Sequence, residues 1–83
     1  MGDTLKDGNV EVRHNMLYLR IFINGYLHLS LKVRELVGLQ SWVTDDGLFK
    51  IEYVTKTNRI LAEYTDKKLW QRILRSLEKV QEV

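Results

Sequence analysis

The sequence predicts an α+β fold: an antiparallel β-meander of four to five strands, in two or three hairpins, with one C-terminal amphipathic helix packed on one face. Three observations predict it. Apolar and polar residues alternate from Met16 to Val33 around an Asn24-Gly25 pair, a strong hairpin signal. A second turn pair, Asp46-Gly47, stands between Trp42 and Phe49. From Leu69 onward the period changes, and Leu69, Trp70, Ile73, Leu74, Leu77 and Val80 form one apolar helical stripe.

At 83 residues the chain is long enough for one domain. We read residues 1–9, with Gly2, Asp3, Asp7, Gly8 and Asn9, as a flexible leader, and residues 10–83 as a single α+β domain. Val10 to Arg13 alternates as a short strand, which His14-Asn15 breaks. In the first hairpin Leu17, Leu19, Ile21 and Ile23 share one face of a strand, and Leu27, Leu29, Leu31 and Val33 share one face of the next. A two-residue loop at Asn24-Gly25 would set Ile21 against His28 and mix the faces. A three-residue loop with Gly25 in a bulge sets Ile21 against Leu29 and Leu19 against Leu31, so it is the expected register.

Residues 33–40 fit either a short helical turn ending at Gly38 or a bent strand extension. In the second hairpin a two-residue turn pairs Thr44 with Phe49 and Trp42 with Ile51, which puts Trp42 on the inner face. The last strand, Ile60 to Tyr64, follows a polar turn, and alternation permits either Glu52 or Lys50 opposite Glu63. Asp66 or Thr65 caps a helix running to about Glu82.

Size and coverage bear on assembly. A sheet of four strands is about 19 Å wide, and a fifth makes it about 24 Å, whereas one helix is about 10 Å across. The inner face is almost entirely aliphatic and aromatic, from Leu17 to Tyr64. Residues Val33 to Leu39 must fold over the remainder, or the sheet must curl strongly, or a second chain must cover it. A domain this small buries only about 60% of its unfolded surface, and there is no cysteine to staple it, so a homodimer is expected.

Net charge is +2. Basic residues concentrate on the helix, where Lys68, Arg72, Arg75 and Lys79 lie opposite the apolar stripe. The outer face of the first hairpin carries Met16, Tyr18, Arg20, Phe22, His28, Ser30, Lys32 and Arg34, and no acid. Rings interleaved with cations are what a single-stranded nucleic acid needs. The candidate binding residues are therefore Tyr18, Arg20, Phe22, His28 and Lys32, with Lys68, Arg72, Arg75 and Lys79 as a phosphate stripe. The competing reading of both faces is an ordinary solvated surface. The helix covers the inner face, so the two basic sets are expected on opposite sides of the domain.

Catalysis and cofactors find little support. Asp45-Asp46 sits in a turn where aspartate is expected for backbone reasons. Neither His14 nor His28 has a nucleophile or acid partner at suitable spacing, and no glycine-rich phosphate loop occurs. Without cysteine, and with the histidines on different elements, no metal or other cofactor is expected. No apolar run approaches the roughly 20 residues that span a bilayer, the first residues lack an apolar signal core, and Lys6 breaks the myristoylation pattern. The expected location is the cytoplasm, with no membrane partner.

No motif identifies a family. The element order, strands and then one basic helix, resembles two groups: the small dimeric single-strand-binding transcriptional coactivators, and the pleckstrin-homology-like domains, which also end in a helix. Likeness of element order carries no function. The expected role is a small non-catalytic interaction or assembly module that is homodimeric, or that docks another protein. The alternative is a single-stranded nucleic-acid binder.

Overall fold

Alternation and turn chemistry fold residues 2–81, the part described by the computed structural model, into seven antiparallel strands and one α-helix. The strands are β1 (Asp3–Asp7), β2 (Val10–His14), β3 (Tyr18–Ile23), β4 (Tyr26–Lys32), β5 (Leu36–Val43), β6 (Phe49–Thr55) and β7 (Arg59–Tyr64), and the helix is α1 (Lys67–Gln81). They form a four-stranded sheet, β1-β2-β3-β4, and a three-stranded sheet, β5-β6-β7. The fold is α+β with a strand meander and a C-terminal helix, as the sequence predicts. It has seven strands rather than four or five, and two sheets rather than one.

The expected flexible leader is corrected at residues 3–7, which are β1. Gly8 at a φ of 61° supplies a two-residue turn that sets Asp7 against Val10 and Leu5 against Val12. The turn residues were legible, but the strand before them is too polar to show as one. Met1 lies outside the described residues.

The first hairpin has the expected register by a different route. Ile21 faces Leu29 and Leu19 faces Leu31. Asn24 (φ 53°) and Gly25 (φ 82°) nevertheless make a two-residue turn that pairs Ile23 with Tyr26. A bulge reconciles the turn with the aliphatic pairing: Phe22 faces Leu27, so His28 is the extra residue. Leu17 lies outside the strand, exposed, because the Asn15 side chain accepts from the backbone N–H groups of Leu17 and Tyr18 at 2.7 and 2.8 Å. Residues 33–40 divide: a 3-10 turn at Val33–Glu35 ends before Gly38, which lies within β5, a strand of the second sheet and not an extension of β4.

The second hairpin is shifted from the expected register. Thr44 to Leu48 forms a longer loop, closed by the Thr44 N–H to the Leu48 carbonyl at 2.9 Å, so Val43 faces Phe49 and Trp42 faces Lys50. The shift by one residue moves Trp42 from the expected inner face to the outer face, where it is 38% exposed. The β6–β7 turn leaves Lys50 opposite Glu63, joined at 2.9 Å.

Asp66 caps α1 through its carboxylate, which accepts from the Lys68 and Leu69 N–H groups at 2.9 and 3.3 Å. Glu82, the expected helix end, lies outside the described residues. The helix contacts β1 and β2 of one sheet and β6 and β7 of the other. Val10, Val12, Leu19, Ile21 and Leu31 from the first sheet, Ile51, Tyr53 and Tyr64 from the second, and Ile73 and Leu77 from α1 close one core. The wide inner face is thus covered within the chain, because the strands split into two sheets that bury each other. A second chain is not needed to close this core.

Candidate functional site

Two surfaces stand out: the outer face of the four-stranded sheet, and the free edge of the three-stranded one. On the first, strand pairing sets side chains in cross-strand rows. One row is Thr4, Arg13, Arg20 and Ser30, and the next is Lys6, Glu11, Phe22 and Leu27. Tyr18 stands opposite Lys32. The Arg13 guanidinium lies 4.5 Å from the Phe22 ring centroid, and that of Arg20 lies 4.8 Å from the Tyr18 ring centroid. Arg13 also pairs with Glu11, which Lys6 approaches at 3.6 Å. Of the sequence-predicted residues, Tyr18, Arg20, Phe22 and Lys32 are brought together here.

His28 is not among them. The bulge turns its ring toward Tyr64, where Nε2 shares a hydrogen bond with the Tyr64 hydroxyl at 2.6 Å, with ring centroids 5.5 Å apart, while the residue stays largely exposed. Burial lowers the pKa of His28, favouring the neutral imidazole. Burial of Tyr64 pushes its hydroxyl up to about 12, opposed in part by the neighbouring Tyr53 hydroxyl. The Tyr53 hydroxyl is enclosed and has no partner of good geometry; burial first, then neighbouring Tyr64, push its ionisation well above that of ordinary tyrosine.

The helix cations are divided. Arg72 donates to the Asn9 side chain at 3.0 Å and lies against Gly8, and Arg75 meets Asp7 at 2.8 Å. These two clamp the β1–β2 turn onto the helix, whereas Lys68 and Lys79 are exposed. The proposed phosphate stripe is therefore half occupied with holding the fold together. Sequence reasoning missed Arg13, Lys6 and Thr4, because β1 and β2 were not expected to extend the first hairpin into a four-stranded face.

The second surface is β5. It borders its sheet, and Gln40, Ser41, Trp42 and Val43 are exposed one after another, on both faces. Val37 is 60% exposed and Val43 51%.

Neither surface contains a reactive arrangement of the kinds considered above. The Asp46 carboxylate accepts the Thr44 hydroxyl, which holds it below the ordinary carboxylate range. Among the described residues no three His, Cys, Asp or Glu side chains are grouped to hold a metal ion. No helix among them is long and apolar enough to cross a membrane. Compared with known protein families, curated proteins and solved structures, the chain finds no match.

Proposed function

We propose that the chain is a small non-catalytic interaction and assembly module that pairs with a second copy of itself through β5. The observation that carries this reading is an unguarded edge. Edge strands are normally protected by charge, proline or a cover. The other border strands carry charge: Asp3, Lys6 and Asp7 on β1, Lys32 on β4, and Arg59 and Glu63 on β7. β5, with the sequence LVGLQSWV, has neither charge nor proline.

The free groups also suit a two-fold pairing. Thr44 bonds back to Leu48, so ladder alternation turns the free N–H and C=O groups of Val43, Ser41 and Leu39 outward. An antiparallel pair centred on Ser41 sets Ser41 against itself, Trp42 against Gln40 of the second copy, and Val43 against its Leu39. Every apposed residue is uncharged, so like charges never meet across the axis. The two three-stranded sheets then become one of six strands.

Sedimentation equilibrium at micromolar concentration tests this. The expected result is a dimer mass for the native chain and a monomer mass for Ser41→Lys, with an unchanged far-ultraviolet spectrum, and a melting temperature that rises with concentration only in the native chain. A native monomer refutes the pairing. Through its other faces the module is open to another protein or a nucleic acid, and its cysteine-free composition supports a reducing compartment, the cytoplasm.

A further inference from the structure

Arg13 and Arg20 are directly opposite each other on β2 and β3, and both are exposed. Like charges in that position weaken a sheet. Each guanidinium is instead laid on a ring, Arg13 on Phe22 and Arg20 on Tyr18, and Arg13 takes Glu11. Arg20 has no carboxylate partner among the described residues. A local conflict of this kind is what functional sites retain, and an anion seated between the two arginines removes it.

The residues around the pair fit that occupant. The same row continues to the hydroxyls of Thr4 and Ser30, one on each side, and Lys6 and Lys32 stand in the neighbouring rows. The face holds four cations and the single carboxylate Glu11, which two of those cations already share.

We infer that this outer face binds single-stranded nucleic acid. A phosphate sits between Arg13 and Arg20 within reach of the Thr4 and Ser30 hydroxyls, and bases stack on the ring and guanidinium planes at Tyr18–Arg20 and Phe22–Arg13. The rings select the polyanion. A small phosphate or a lipid headgroup uses the arginines alone, and a duplex keeps its base faces stacked inside. Only unpaired bases can lie on the exposed Tyr18 ring and on the guanidinium plane that covers Phe22. The site lies on the sheet that does not contain β5, so it stands independently of self-pairing.

The test is fluorescence anisotropy with a labelled oligothymidylate and the full chain, over a series of salt concentrations. Binding is expected, with log affinity falling linearly in log salt at a slope of about −2 to −3, from three to four phosphate contacts on a single strand. Arg20→Glu should weaken it on the order of a hundredfold, and Tyr18→Ala about tenfold. Lys68→Glu, on the helix, should change it less than about twofold. Far-ultraviolet spectra confirm that each variant folds; Arg20→Gln replaces Arg20→Glu if the latter does not, with a loss of about tenfold expected. The inference is overturned by absence of binding, by affinity that Arg20 and Tyr18 variants leave unchanged, by equal affinity for a duplex, or by binding to phosphatidylserine vesicles but not to the oligonucleotide.

Discussion

Replacing each tryptophan in turn tests the core and the strand register together. Trp70 is half-buried on α1. Its indole N–H donates to the Lys50 carbonyl at 3.0 Å, and its ring meets Phe49 at a centroid distance of 5.2 Å. Truncating a fully buried tryptophan costs about 3–5 kcal/mol. Partial exposure places Trp70→Ala at the lower end, about 3 kcal/mol. Of that, the hydrogen bond contributes about 1 kcal/mol and the aromatic pair about 1 kcal/mol, the rest being apolar burial. Trp70→Phe keeps a ring against Phe49 and loses the N–H bond, so it should cost about 1–1.5 kcal/mol. Trp42 stands opposite Lys50 on the outer face, and Trp42→Ala should cost under about 1 kcal/mol. Urea denaturation followed by far-ultraviolet circular dichroism reads all three without depending on the fluorophore that each change removes. A loss below about 1 kcal/mol for Trp70→Ala places its ring outside the core. A loss for Trp42→Ala equal to that for Trp70→Ala refutes the register of the second hairpin.

Four further outcomes follow from particular contacts. His28 has its pKa lowered by burial from the usual 6.5. Above pH 6.5 it is neutral in both folded and unfolded chains, so its neutral contact with Tyr64 is retained in full; stability should fall as pH drops below 6.5 and level off beneath the folded value, and His28→Gln should flatten that slope in pH-dependent melts. Gly8→Ala forces a Cβ to 3.2 Å from the Arg72 guanidinium at a φ of 61°, and a loss of at least about 1 kcal/mol by urea melt is expected; a neutral result would dispute the helix clamp on the β1–β2 turn. Tyr53→Phe removes an enclosed hydroxyl without a well-placed partner, so stability should hold or rise by up to about 1 kcal/mol, and a loss above that would reveal a hydrogen bond there. Asp66→Ala should cost about 1 kcal/mol through the helix cap, measured in the same way.

Much of the candidate site was legible, but its composition was not. Tyr18, Arg20, Phe22 and Lys32 share a face because period-two alternation within β3 and β4 fixes which side each points to. His28 escaped that rule because alternation assumes an unbroken ladder. The Asn24-Gly25 turn demands two residues, the aliphatic pairs demand an offset, and the bulge that satisfies both reverses one side chain. Arg13 was hidden because its own strand does not announce that β2 pairs with β3, and Thr4 because polar β1 is held in part by the Arg75–Asp7 contact with α1, whose partners are over 60 residues apart in the chain.

The sequence by itself determined much of the local structure: the α+β class, the places of the turns at Asn24-Gly25 and Asp46-Gly47 though not their lengths, the aliphatic register of Ile21 with Leu29, and the apolar stripe and cap of α1. Each depends on residues a few positions apart, where period and turn geometry act directly. Only the tertiary structure decided that the strands part into two sheets around one core, that Trp42 turns outward, that His28 meets Tyr64, and that β5 is left as an edge. These outcomes depend on how apolar area from distant segments is buried at once. That free energy belongs to the whole packed arrangement, and no stretch of alternating residues encodes it alone.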